Sequence, residues 1–591
     1  MKHLLKLLAQ YWLPAVALVV FTYVVVMANL WLPDKMSDIV NSGIIGQNLE
    51  AIWDNGWRMI AVTAVGGVCS AAAGFLASRI ATGMARQLRE KVFARIEKFS
   101  LADFNKFSTA SLITRSTNDI QQIQMSTTML LRIALMAPIM AIGGLQKALA
   151  TAPDMSWIIA LAVAVLLAVV VVLSVIAIPR FKKLQELVDK LNQAARENLT
   201  GLRVVRAFHN EKLEEKKFEK TNRELTRLNL FVNRLMSLLD PVMTLVMNFA
   251  SLAVVWFGAF AINGGTLEIG NMLAFLQYAI QVIISFLMIS FVFIMVPRAA
   301  VSVRRVSEIL ETQPSIKDAK KTKALAPGGR GKIEFRDVTF TYSDSDLPVI
   351  TNLNFTAEPG QTTAFIGSTG SGKSTLINLI PRFYDVSAGQ VLLDGVDVRD
   401  LKLEDLYSQI GYVPQKGVLF SGTIKSNIAY GNEKLSQAEM KKMSRIAQAS
   451  DFIDSMKRQY DSAVAQGGSN VSGGQRQRLS IARALAVKPN VYIFDDSFSA
   501  LDFKTDAALR KALAKETKNK TVLIVGQRIN TIINADKIIV LDEGKIVGQG
   551  RHAELMENCA VYQEIAASQL SADDLEKVAA RPRLKLGKGA A

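Results

Sequence analysis

Cysteine and histidine are nearly missing from this 591-residue chain, which has only Cys69 and Cys559, and His3, His209 and His552. Two distant cysteines make neither a disulfide framework nor a paired-cysteine metal site, and no two histidines stand at the spacing of a helical metal pair. Redox and zinc chemistry therefore lack residues. Charge is also scarce: Asp, Glu, Lys and Arg make up 20% of the chain against 50% apolar residues, and the mean hydropathy is +0.23. That balance excludes a mostly disordered chain and is greasy for a soluble one. At roughly 150 residues per soluble domain the length suits about four units, or fewer where chain lies in lipid. The charge present is basic, 69 Lys+Arg against 52 Asp+Glu. An excess of this sign suits nucleic acid or the cytoplasmic side of a membrane protein, and its placement decides between them.

Apolar stretches of about 20 residues, long enough to cross a roughly 30 Å hydrocarbon core as helices, fall near 12–33, 57–80, 126–150, 156–179, 237–262 and 272–296. The third is interrupted by Arg132, Gln146 and Lys147. The first follows Lys2 and Lys6 as a signal peptide would, but it is longer than a usual signal core, has no convincing cleavage site and is followed by further spans. It is expected to be retained. Arg86, Arg89, Lys91, Arg95 and Lys98 open the 80–125 loop, Arg180, Lys182 and Lys183 open the 180–236 loop, and Arg298, Arg304 and Arg305 follow the last span. The opposite side carries mainly Asp34, Asp38, Glu50, Asp54, Asp154 and Glu268. Both termini are thus expected in the cytoplasm, in a multi-pass protein of the cell membrane that binds lipid and no nucleic acid. Helical periodicity in the two long loops, as at Leu184, Leu187, Val188 and Leu191, extends the spans into cytoplasmic hairpins. Residues 1–312 form the membrane domain in this scheme.

Residues 313–330 are polar, basic and rich in Pro and Gly, as a linker is. From 331 to 570 short β-type runs alternate with helical stretches, which points to an α/β domain, and 571–591 form a basic tail. The run TTAFIG leads into Gly367, Ser368, Thr369, Gly370, Ser371, Gly372, Lys373, Ser374 and Thr375, and then a helical stretch. This is a phosphate loop in its strand, loop, helix context. Its glycines let backbone amides surround phosphate oxygens, the helix presents its positive end, Lys373 reaches the terminal phosphates and Ser374 can hold Mg²⁺. The apolar run VYIFDD ends in Asp495, placed for a Mg²⁺ contact. ATP and Mg²⁺ are the expected cofactors.

Val471, Ser472, Gly473, Gly474 and Gln475, followed by RQRLSIARAL and VYIFDD, resemble the signature of ATP-binding cassette (ABC) proteins. The resemblance continues in Tyr342 as the aromatic that stacks on adenine, Gln415 in GYVPQ as the Q-loop glutamine and Mg²⁺ ligand, and Ser499 to Asp502 as the D-loop. With six spans ahead of it, the whole chain is similar to a type IV exporter half-transporter. The implied fold is an all-α six-helix transmembrane domain fused to an α/β P-loop NTPase cassette. The resemblance also implies that the signature caps ATP held by a second cassette, so a partner chain is required. It makes the hairpin segments 107–121 and 201–220 coupling elements, with bends near Thr109 to Arg115 and Phe208 to Glu214.

Two positions depart from the family pattern. Asp496 stands where a catalytic glutamate is usual, and Gln527 where a histidine usually contacts the γ-phosphate. The shorter carboxylate is withdrawn by about 1.5 Å from the attacking water. The amide cannot carry the cation that offsets developing charge. The expectation is a slow, ATP-holding site in one half of a heterodimeric exporter, with a homodimer the less favoured alternative. Met243, Met247, Trp256, Gln281, Phe286 and Met288 in the last two spans suggest an adaptable lining for small amphiphilic substrates of multidrug type, with lipid or peptide as alternatives. An ATP-gated channel or regulatory subunit is the rival from another class.

Overall fold

The computed structural model describes residues 2–326 and 328–569. The basic tail expected over 571–591 lies outside the described residues. The described chain divides into two compact units: one holds the residues up to Glu97 together with Thr109–Thr312, the other Lys98–Ser108 together with the chain from Gln313.

In the first unit six helical segments are long and apolar enough to cross a membrane: Trp12–Ile45, Leu49–Ile96, Thr109–Thr151, Pro153–Thr200, Glu211–Asn263 and Ile269–Val292. Helices satisfy their own backbone polar groups, which hydrocarbon cannot. At 48 residues the second helix is about 70 Å long at 1.5 Å per residue, more than twice the hydrocarbon thickness. The surplus is the hairpin arm that the charged periodicity foretold. Its first turn is capped by Asn48, whose side chain accepts from the Ala51 amide at 3.1 Å.

The first, third and sixth spans pack around Val26, Leu30, Met140, Phe275, Tyr278 and Val282, all buried. Their backbones approach closely because the third span carries Gly143 and Gly144, where a Cβ would come within 2.4 Å of Leu30 Cδ1 and 2.8 Å of Val282 Cγ2. The first helix continues past residue 33 to Asp38 and then into a π-helical stretch, Ile39–Ile45, so Asp34 belongs to the helix and not to a loop. There its carboxylate accepts from Lys147 Nζ at 2.5 Å and from the Tyr278 hydroxyl. This ion pair accounts for Lys147, one of the two charges that interrupt the third apolar stretch.

The first hairpin turns earlier than the sequence suggested. Residues 109–116 are helical, and the chain changes direction around a separate short helix, Leu101–Asn105, begun by a Ser100/Asp103 capping box. The second hairpin breaks after the helix Leu202–Ala207, where His209 takes φ of 53°, and resumes with the helix Glu211–Ser237. On the inner side of the first unit, Arg115 Nη1 donates to Glu308 Oε2 at 2.7 Å and to the Arg305 carbonyl at 3.0 Å. Ser302 donates to Asp119 at 2.9 Å, which ties the third helix to the continuation of the sixth.

The second unit contains β1 (Ile333–Phe340), β2 (Ile350–Ala357), β3 (Thr362–Gly367), β4 (Ala388–Leu393), β5 (Val396–Asp397), β6 (Ile410–Val413), β7 (Gly422–Thr423), β8 (Ala463–Val464), β9 (Val491–Asp495), β10 (Thr521–Val525), β11 (Lys537–Asp542) and β12 (Lys545–Gly550). They form an antiparallel sheet ordered β2-β1-β4-β5, a mainly parallel sheet ordered β12-β11-β3-β10-β9-β6, and the β7-β8 pair. The inner parallel strands are near-continuous apolar runs, as strands covered on both faces must be. Residues 313–326 and 328–332 run without helix or strand along this unit, where Lys323 N donates to the Asp400 carbonyl and Asp318 Oδ1 accepts from Leu403 N, both at 2.8 Å.

Leu101–Asn105 belongs to this second unit through one carboxylate. Asp103, fully buried, accepts from the Ser100 amide and hydroxyl at 3.2 and 2.9 Å and from the Ser315 amide and hydroxyl at 2.8 and 3.1 Å. Burial pushes its pKa up, but the hydrogen bonds from Ser315 and Ser100 together outweigh burial and hold it below the ordinary 3.8. Its stabilisation is therefore present above the ordinary carboxylate range and is lost as pH falls through the depressed value. Asp103→Ala orphans these donors and is expected to cost about 1–3 kcal/mol. Thermal unfolding of the solubilised protein measures this, and Asp103→Asn recovers only part of the loss.

Candidate functional site

In the parallel sheet, β10 lies between β3 and β9 with Val525 opposite both Phe365 and Asp495. The carboxyl ends of three strands are therefore level, the place where open α/β sheets bind ligands. From the end of β3 the chain passes through residues 368–372 into the helix Lys373–Leu379. The loop closes only because Gly370 and Gly372 take φ of +87° and +94°. Lys373 is buried, and its ammonium donates to the Gly367 carbonyl at 2.9 Å, the Ser368 carbonyl at 2.6 Å and Ser371 Oγ at 3.2 Å. Burial lowers its pKa, while Asp495 and Asp496 act in the opposite direction.

Ser374 Oγ donates to Asp495 Oδ1 at 3.3 Å. Asp496 follows β9 with φ of 44°, a left-handed conformation that aspartate tolerates better than most residues, and its Oδ2 accepts from Gln415 Nε2 at 3.3 Å. Gln415 arrives there because it follows β6, which pairs with β9. Burial raises the pKa of both aspartates, and Asp496 adds to the rise at Asp495. Further along the loop helix, Thr375 Oγ1 lies 2.9 Å from the Tyr342 hydroxyl. The Tyr342 ring packs edge-on against Phe340 and Tyr384, with centroids 4.8 and 5.3 Å away.

Lys373, Ser374, Thr375, Gln415, Asp495, Asp496 and Tyr342 thus share one region of the cassette. Gln527 follows β10 in an exposed position, and its carbonyl accepts from Gln569 Nε2 at 2.8 Å. Ser472 begins the helix Gly473–Ala486, and its hydroxyl accepts from the Gln475 amide at 3.2 Å. Ser472 and Gly473 are exposed, and a Cβ at Gly473 would meet nothing within 4 Å. Among the described residues no hydrogen bond joins this segment to the phosphate loop of its own chain. The D-loop begins with Ser499, bonded through its hydroxyl to the Asp496 carbonyl at 2.9 Å, and ends with Asp502 capping the helix Phe503–Glu516 through the Thr505 amide at 2.9 Å.

Two residues of this region carry no sequence signal. Tyr384 meets Tyr342 only through folding. Gln477 is buried in the signature helix, donates to the Pro414 carbonyl at 3.1 Å and accepts from the Gly417 amide at 3.1 Å, which joins that helix to the segment following Gln415. In the spans, Met243, Met247, Gln281 and Phe286 are at least partly buried, while Trp256 is 61% exposed and stacks edge-on against Phe260.

The family described as ABC transporter transmembrane region matches residues 12–286, and that described as ABC transporter matches residues 350–499. An "Uncharacterized ABC transporter ATP-binding protein" of Mycobacterium tuberculosis is 40% identical over 573 residues, spanning 96% of this chain and 98% of that one. The chain belongs to the ABC transporter family. An "ATP-dependent lipid A-core flippase" of Syntrophus aciditrophicus is 33% identical over 526 residues, 87% of this chain and 85% of that one. The "Structure of a bacterial Atm1-family ABC exporter with ATP bound" superimposes with a TM-score of 0.79 at 25% identity, covering 95% of this chain and 99% of that one. This ABC protein is accordingly an exporter half-transporter, a multi-pass protein of the cell membrane with a cytoplasmic ATPase domain, and ABC exporters act as dimers. Removing the buried ammonium with Lys373→Ala is expected to weaken ATP binding by at least about tenfold, the scale of a lost charge-assisted contact. Equilibrium binding to the purified transporter reads the effect.

Proposed function

We propose that the chain is one half of a heterodimeric exporter, contributing a slow nucleotide site of its own and an intact signature to a faster site on its partner. The carrying observation is the pairing of Asp496 with Gln415 in a site whose switch position is Gln527. The phosphate loop and Lys373 bind the triphosphate, Thr375 lies beside it, and Tyr342 packs on the adenine. Ser374, Asp495 and Gln415 are hard oxygen donors suited to Mg²⁺, and the 3.3 Å approach of Ser374 Oγ to Asp495 puts two of them side by side. No group of three or more His, Cys, Asp or Glu suited to a metal exists among the described residues, which fits an ion carried in largely by nucleotide phosphates. Mg²⁺ there would offset phosphate charge.

Asp496 is the general-base candidate. Its short side chain is engaged by Gln415, and Gln527 offers no cation where negative charge builds up. ATP is held longer than it is cleaved. Ser472 and Gly473 are exposed, and with Gly474 and Gln475 they cap the partner's ATP. Closure of the two cassettes on ATP, passed to the spans through the hairpins, drives export by alternating access, and hydrolysis at the partner's site resets it.

For substrate, an apolar cleft of about 450 Å³ on the membrane unit, bounded by Ile142, Leu145, Ile159, Val163, Leu167 and Phe286, supports small amphiphiles of multidrug type. Lipid export is the second reading, favoured by the lipid A-core flippases among the relatives. Asp496→Glu with Gln527→His is expected to raise ATP turnover of the complex by up to about 10²-fold at this site. Single-turnover hydrolysis in the native complex measures it, and high turnover before the substitutions would remove the slow-site reading. Native mass of the complex isolated from its source membrane separates the heterodimer from two copies of this chain.

A further inference from the structure

The second unit contains a cleft of about 680 Å³ walled on one side by Tyr342, Ser343, Asp344, Tyr384 and Asp385 and on the other by Ala102, Asn105 and Lys106 of the first hairpin. Two sets of hydrogen bonds fix these walls. Tyr342 is tied to the phosphate-loop helix through Thr375 at 2.9 Å. Tyr384 stands edge-on to Tyr342, and Asn105 lines the same cleft. The short helix bearing Asn105 is held by the buried Asp103 to Ser315. A triphosphate seated over Lys373 extends its base toward Tyr342 and thus into this cleft, whose opposite wall is not part of the cassette sequence. Lys106 is more than half exposed there, with its nearest carboxylate partner, Asp103, at 3.4 Å. A cation across from an aromatic ring suits the π face and the acceptor nitrogens of a purine.

We propose that Lys106 is a nucleobase-binding residue, so that the membrane-domain hairpin itself contributes to recognition of the purine of ATP. This rests on the reading of the Lys373 loop as the triphosphate site. The hairpin then senses an occupied cassette through direct contact with the base, and a ligand consisting of phosphates alone fills the loop without reaching the hairpin.

The test is equilibrium binding of ATP and of inorganic tripolyphosphate to the full transporter in lipid nanodiscs. Lys106→Ala is expected to weaken ATP binding several-fold, toward about tenfold, and to leave tripolyphosphate binding unchanged. Lys106→Arg restores the ATP preference because it keeps the cation. Equal loss of both ligands, or no change in the ATP to tripolyphosphate ratio, overturns the proposal. Lys373→Ala is the separate control: it diminishes binding of both ligands if the triphosphate reading holds, and its failure to do so removes that reading whatever the hairpin variants show.

Discussion

The parallel pairing of β10 between β3 and β9 is the constraint on which the nucleotide region depends. Register on these strands sets Phe365, Val525 and Asp495 level. Ser374 at the end of the phosphate loop and Asp495 at the end of β9 are then brought within hydrogen-bonding distance although 121 residues separate them. A one-residue slip would exchange the two buried faces of each strand and move Asp495 out of line with the loop. β6, on the far side of β9, brings Gln415 to Asp496 by the same logic.

A different constraint governs the first unit. In lipid the helices gain little from apolar contact with one another, so close packing and polar contacts hold them together. Gly143 and Gly144 admit neighbouring side chains, and Asp34, Lys147 and Tyr278 satisfy one another across three spans. The helices that leave this packing run well beyond the hydrocarbon, and one of their connections, Lys98–Ser108, belongs to the same compact unit as the cassette. A buried carboxylate, Asp103, makes that attachment, using two serines separated by 215 residues in the chain. The polypeptide therefore joins membrane and cassette functions at two places, the linker after Thr312 and this hairpin tip.

The slow-site reading is chemical and local. Aspartate at 496 keeps a carboxylate but engages it with Gln415, and glutamine at 527 keeps hydrogen-bonding capacity without charge. On the proposed reading, with Lys373 and the glycine-rich loop in place, holding ATP and cleaving it are separable in this site. The exposed signature remains suited to a second chain, which is why the activity of the partner matters to the function of this one.

The sequence by itself determined the six apolar segments, the phosphate loop and the two departures at Asp496 and Gln527, because hydrophobic length, glycine spacing and side-chain chemistry are local properties. It placed Asp34 in a loop and the first hairpin's bend at Thr109 to Arg115, because neither an ion pair formed across helices nor a capping box that begins a separate short helix is visible in hydropathy. Tertiary structure alone decided that Tyr384, Asn105 and Lys106 border the cleft beside Tyr342, and that Gln477 ties the signature helix to the segment after Gln415. Those neighbours are distant in sequence and are brought together by sheet register and one buried carboxylate, for which the chain carries no periodic signal.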